Sequence, residues 1–170
     1  IRRQRQMCIR DSKNAVIELS KMMRYVLYES GHEAITLEKD IQFMENYIKL
    51  MRIRYTEDVD IRFDYPDLPH DVTIPPLLLI VFVENAFKHG VSYNHPSFIR
   101  PKIEYADGTV TATIANSRHN PRDGRHRAGI GLENVRKRLA LIYGQKNYSL
   151  DIRDEAERYI VKLSIPTLHA

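Results

Sequence analysis

The stretch IPPLLLIVFVENAFKHG, Ile74 to Gly90, constrains the fold more than any other part of the chain. Its apolar residues run almost unbroken from Pro75 to Val83, and then Glu84, Asn85, Lys88 and His89 arrive inside the same segment. Pro75 and Pro76 suit the first turn of a helix, where no backbone N–H is needed, and Gly90 suits the residue just past its end. The spacing therefore predicts one helix over 74–90, buried along most of its length and polar in its last turns. There Glu84 and Lys88 stand four residues apart, Asn85 and Lys88 three, and Asn85 and His89 four, which gathers them on one surface. Val81, Phe82 and Phe87 are left for the core. Unpaired polar groups buried at such a place cost about 1–3 kcal/mol each. Two readings follow: a solvated helix end carrying an ordinary Glu–Lys pair, or the lining of a site. A carboxylate, an amide and a cation at the edge of a core suit a metal–phosphate group. The amide oxygen can ligate Mg²⁺, lysine meets phosphate charge, and the carboxylate can accept a proton.

Such a helix needs a core to enter, and 170 residues with 43% apolar and 28% charged side chains supply one domain with a helical appendage. The apolar run is too short to cross a bilayer. Behind the Arg-rich start there is no apolar stretch, so no signal peptide is expected. The single cysteine, Cys8, excludes an internal disulfide and a cysteine-cluster metal site, which fits a reducing, cytoplasmic setting. The net charge of +4 is concentrated at the start: Arg2, Arg3, Arg5 and Arg10 against Asp11 hold three of the four charges. The remainder is close to neutral and lacks the footprint of phosphate-backbone binding, so no nucleic-acid partner is expected. MCIRDS, at positions 7–12, resembles translated adaptor sequence, so residues 1–12 are expected to be non-native or disordered. Without an initiator methionine, the chain is expected to be a piece of a longer protein.

Val16, Leu19, Met23 and Val26 recur at helical spacing within a helix predicted over 13–30, and packing is the plain reading of that stripe. A second helix carries Leu37, Ile41, Met44, Ile48, Met51 and Tyr55 on one side, with Thr36 as N-cap and Glu38 and Asp40 in its first turn. Tyr25 and Tyr28 are read as packing or dimer-interface residues. VDIRFDY alternates like a strand. PKIEYADGTVTATIANS reads as a hairpin turning at Asp107-Gly108. Arg118 to Gly129 is polar and punctuated by glycine and proline, as a mobile loop is. A helix with Leu132, Val135, Leu139 and Ile142 on one side follows, then two short strands. On that helix Arg136, Lys137 and Arg138 are read as a solvated face. The order favours a mixed sheet with helices on one face, an α/β two-layer sandwich.

AGIGLENVRKRL then adds Gly129 and Gly131 at a helix start, where glycine allows close approach and the N-terminal N–H groups attract anions. PPLLLIVFVENAFKHG followed by GIGLENVRKRLALIYG resembles the N-box and second glycine box of LytS-type sensor histidine kinases, whose ATPase superfamily includes gyrase and the mismatch-repair MutL proteins. SKMMRYVLYES and ITLEKDIQFMENYIKLMRIRY are similar to the region leading into that ATPase domain, so the resemblance runs over roughly 13–166. It implies the histidine-kinase-type ATPase fold over 35–168, preceded at 13–34 by the end of a dimerisation and phosphoacceptor helical region. It implies ATP and Mg²⁺ as cofactors, with Asn85 on the metal and Glu84 in the acidic role beside the γ-phosphate. Lys88 and His89 take phosphate-side positions. The backbone of Gly129, Gly131 and Leu132 closes over the phosphates, and Arg118 to Ala128 forms the lid. Implied partners are a response-regulator receiver domain and a second copy through the helical region, in a membrane-anchored parent whose kinase part is cytoplasmic.

Two departures stand out. The family's first glycine box reads Asp-x-Gly-x-Gly, its aspartate accepting the adenine amino group; here Asn116, Ser117, Arg118, His119 and Asn120 occupy the run. Asn116 keeps a carbonyl acceptor without the charge. A phosphoacceptor motif resembling NPHFLFN is also missing, and none of the histidines stands in a matching context, His119 reading as a lid or solvent residue. The chain is thus expected to be an ATP-dependent protein histidine kinase region that cannot phosphorylate itself alone. A serine kinase of the anti-sigma-factor type and a degenerate nucleotide-binding interaction module remain as alternatives.

Overall fold

The computed structural model describes residues 2–55, 59–67, 69–92, 94–119 and 130–168. Helix α1 (Arg2–Glu29) leads into the short strand β1 (Ile35–Thr36) and helix α2 (Leu37–Arg54). Strands β2 (Val59–Ile61) and β3 (Thr73–Ile74) precede helix α3 (Ile80–Gly90). A long hairpin, β4 (Ser97–Ala106) and β5 (Thr109–Ser117), then helix α4 (Ile130–Tyr143) and the pair β6 (Ser149–Asp154) and β7 (Arg158–Pro166) complete the order. Five strands form one mixed sheet in the order β2-β4-β5-β7-β6, parallel only between β2 and β4, while β1 and β3 form a small antiparallel pair.

Burial alternates along the central strands. Ile99 and Ile103 of β4, Val110, Ala112 and Ile114 of β5, and Val161, Leu163 and Ile165 of β7 are buried, whereas Arg100, Lys102, Glu104 and Lys162 point away and are exposed. One face is covered by helices and the other is open, as expected of an antiparallel sheet with a single core. The hairpin turns where the sequence places it, with Asp107 and Gly108 both at positive φ, 48° and 71°, as a two-residue turn of primed type requires. The α2 stripe is buried as read, and Thr36 caps the helix, its side chain accepting from the Lys39 N–H. Near its end the chain returns to its middle: Leu168 N–H donates to Thr73 O at 2.9 Å, and the Thr73 hydroxyl donates back to Leu168 O.

Three expectations need correction. The helix predicted over 74–90 begins only at Ile80. Ile74 is paired with Ile35, and Leu77 takes a left-handed φ of 57° that no helix continues through. On α4, Tyr143 is buried and Ile142 is 40% exposed, because a straight helix turns slightly less per residue than a three–four repeat requires, so the next residue comes round to the core. On α1 the stripe of Val16, Leu19, Met23 and Val26 is exposed. The helix meets α2 through the neighbouring face instead, with Ala15, Glu18, Met22, Tyr25 and Glu29 half-buried and the Tyr25 ring stacked on Phe43 at 4.3 Å.

Candidate functional site

Helix α3 is amphipathic at its C-terminal half because its core side is fully used: Ile80, Phe82, Val83, Ala86, Phe87 and Gly90 are buried. That forces Glu84, Lys88 and His89 to be exposed and leaves Asn85 half-buried. The ordinary Glu84–Lys88 ion pair that the spacing allows does not form, and neither residue nor Asn85 makes a side-chain hydrogen bond among the described residues. Desolvation by the surrounding protein raises the Glu84 carboxyl above its ordinary range. Part of that surrounding is Tyr47 of α2, which the sequence reading missed. Its phenol is pushed up to about 12, first by burial and then by the Glu84 charge, and its ring meets Phe87 edge-on at 5.7 Å.

Helix α4 brings its first turn to the same side of α3. A methyl group on Gly131 would stand 3.6 Å from Val81 Cγ1, an ordinary contact, and Val81 lies one turn before Asn85. Gly131 is exposed and lies in the first turn that is described for α4, the end of a helix whose N–H groups attract anions. The Leu132 side chain is buried in the core, leaving only its backbone to face a ligand. Gly129 and the lid expected over Arg118–Ala128 lie outside the described residues, apart from Arg118 and His119. Arg118 is fixed: its Nε ion-pairs with Asp154 at 2.9 Å and its N–H donates to Glu157 O.

Asn116 sits at the end of β5 beneath the last turn of α3, buried to 3% exposure, and its Nδ2 donates to Ser117 O at 2.8 Å. The fit is close enough that a methyl on Gly90 would fall 2.7 Å from Asn116 Cβ and Nδ2. Ser117 Oγ donates to Gly90 O at 2.6 Å. His119 is no solvent residue: its Nε2 lies 3.2 Å from Gly90 O and 3.0 Å from Ser97 Oγ, and its ring is near-parallel to that of His95. Because Ser97 Oγ already accepts from the Ser92 N–H and can donate to His95 O, the arrangement fits a proton on Nε2 shared between the two oxygens. In place of glycines, this strand end carries side chains that fasten the helix. The one available signal was residue type, since Ser and Asn readily hydrogen-bond backbone groups.

The donor set suits a magnesium–nucleotide group: a half-buried amide oxygen and an ammonium that have no side-chain partner among the described residues, a carboxyl and a helix N-terminus on adjoining elements. No cluster of three or more His, Cys, Asp or Glu side chains able to hold a metal occurs among the described residues, so any ion held here would share its shell with phosphate and water. No helix among the described residues is long and apolar enough to cross a membrane.

Residues 4–59 match the histidine kinase family. The chain is 25% identical over 91% of its length to the sensor protein LytS of Staphylococcus saprophyticus, covering 28% of that protein. It is 29% identical over 83% of its length to the sensor histidine kinase YesM of Bacillus subtilis, covering 26%. It thus spans about a quarter of the length of these relatives. The catalytic domain of the histidine kinase ThkA superposes with a TM-score of 0.56 at 18% identity, covering 78% of this chain and 93% of that one. The blue-light activated histidine kinase of Erythrobacter litoralis superposes at 0.58 and 17% identity, covering 96% and 49%. At such identities the superpositions establish the fold, a mixed α/β sheet domain of the histidine kinase catalytic type.

Proposed function

We propose that residues 35–168 of this chain, which is similar to the LytS and YesM sensor histidine kinases, bind Mg²⁺-ATP and serve transfer of its γ-phosphoryl group to a histidine. The observation that carries the reading is the unpaired trio on α3. Glu84, Asn85 and Lys88 share one surface without bonding one another or any neighbour among the described residues. Asn85 would offer its amide oxygen to the metal, whose charge would neutralise the phosphates. Lys88 and His89 would face the phosphates with the first turn of α4. Glu84 would take the proton that the attacking imidazole loses as the N–P bond forms and ADP leaves. The upward shift of its carboxyl is the direction a general base needs. Catalysis would rest on positioning and charge neutralisation.

The acceptor histidine is proposed to lie on a helix preceding this segment, the relay partner to be a response-regulator receiver domain, and the parent to be membrane-anchored with this region in the cytoplasm. A second copy would cover α1, where Val16, Leu19, Met23, Leu27 and Tyr28 stand open on one helix. The fastening of Asn116, Ser117 and His119 to protein groups supports a second reading, a degenerate nucleotide-binding interaction module. Calorimetric titration of Mg²⁺-ATP into the chain, wild type beside Asn85→Ala, separates them. Saturable, Mg²⁺-dependent binding, weakened on the order of tenfold or more in the variant, is the expected result. A folded wild type that does not bind refutes the catalytic reading.

A further inference from the structure

Asp40 is fully buried in the first turn of α2, a place where a surface carboxylate would merely favour the helix dipole. Its Oδ1 accepts from the Tyr25 hydroxyl of α1 at 2.8 Å and from the Leu77 N–H at 3.3 Å. Its Oδ2 is buried without a hydrogen bond. Arg138 of α4 donates to Pro76 O at 2.7 Å, and its positive charge acts on the Asp40 carboxylate. One buried side chain therefore bonds α1 and the turn into α3 and feels the charge that α4 carries to that turn. Leucine held at positive φ costs roughly 1–2 kcal/mol, and at Leu77 the bond to Asp40 holds that conformation. Helix α3 starts three residues later and carries Glu84 and Asn85, while α4 carries Gly131 and Leu132 in its first turn. Apolar residues of similar volume often stabilise such a place as well as a buried charge does. What the carboxylate adds is direction: it accepts from two specific donors on two different segments.

We infer that Asp40 is a positioning residue for the nucleotide site, tying the placement of α1 through Tyr25 to the Leu77 turn, and so to α3 and α4. The inference rests on the nucleotide reading above. It makes the coupling reciprocal: what α1 does to nucleotide affinity, bound nucleotide does to α1.

The test uses the full chain and two readouts, Mg²⁺-ATP affinity by calorimetry and amide hydrogen exchange over 13–30 and 72–90. Tyr25→Phe keeps the ring on Phe43 and removes only the hydroxyl. The expected result is that Mg²⁺-ATP slows exchange in both windows of the wild type. In Tyr25→Phe affinity falls on the order of fivefold, the lower end of measured couplings, and the slowing over 13–30 is lost while that over 80–90 stays. Asp40→Asn, which retains an oxygen for both donors, keeps the coupling, and Asp40→Leu loses it. Wild-type binding with unchanged affinity in Tyr25→Phe, and no nucleotide effect over 13–30, overturns the inference alone. A folded wild type that does not bind removes the nucleotide reading and this inference with it.

Discussion

Replacing Gly90 by alanine tests the joint between α3 and β5. In a helix that exchange ordinarily stabilises by about 0.5–1 kcal/mol, since glycine gives up more backbone freedom on folding. Here the new methyl would lie 2.7 Å from both Asn116 Cβ and Nδ2 and 3.0 Å from Cγ. Comfortable carbon–carbon contact begins near 3.5 Å, so something must move by most of an ångström. Asn116 cannot simply swing aside. Its Cβ is fixed by a strand paired to Ile99 on one side and Tyr159 on the other. Overpacking of this kind costs about 1–3 kcal/mol, which outweighs the helix gain and leaves a net loss of about 1–2 kcal/mol. For a chain of this size that is a fall in Tm of roughly 2–8 °C, read by circular dichroism. Displacing Asn116 should also weaken Mg²⁺-ATP in calorimetry. Gly31, where an added methyl meets nothing within 4 Å, is the control, and Gly31→Ala should leave Tm unchanged or slightly raised. A Gly90→Ala chain as stable as the wild type would refute the argument.

Burial pushes the Asp40 carboxyl from an ordinary 3.8 up to about 6, against the Tyr25 hydroxyl, the Leu77 N–H and the Arg138 charge, which all act to lower it. A raised folded pKa means that the folded chain holds this proton more tightly. Its contribution is complete below about pH 4 and lost as pH rises through about 6, a change on the order of 3 kcal/mol. Asp40→Asn should flatten that part of the stability–pH curve in urea titrations, and parallel curves for variant and wild type would contradict it. Asn116→Asp restores the residue type of the related family, yet it would lose the bond donated to Ser117 O and set a buried carboxylate against that carbonyl. It should therefore lower stability without nucleotide by about 1–3 kcal/mol at neutral pH, and an equal or higher Tm would refute this.

Where one physical signal dominated, the sequence was legible. The α2 stripe is continuous, and its cap residue stands at the start of it. Asp107-Gly108 admits little besides a tight hairpin turn, and the polar end of α3 marked the residues that the proposal above rests on. Elsewhere two signals competed. Pro75-Pro76 before an apolar run reads as a helix start, but the bend at Leu77 depends on the Asp40 carboxylate, which lies 37 residues away. Apolar residues spread round much of α1, so periodicity could not say which face α2 would take. Two-residue strands such as β1 and β3 carry no periodicity at all. His119 was misplaced because its partners, Gly90 O and Ser97 Oγ, come from other elements. The assignment of individual site residues stays a proposal that the titrations above decide.

The seating of Leu168 on Thr73 has a consequence in time. The two residues are 95 positions apart, and β7, the neighbour of the central strand β5, is also the last of the described strands. At ordinary ribosomal speed Thr73 waits roughly 5–20 s for its partner to be made. During that wait α1 and α2 can already meet, whereas β5 has an open edge and the β1–β3 pair lacks its last neighbour. An unpaired β5 edge is the place where a nascent chain would meet another copy or a chaperone.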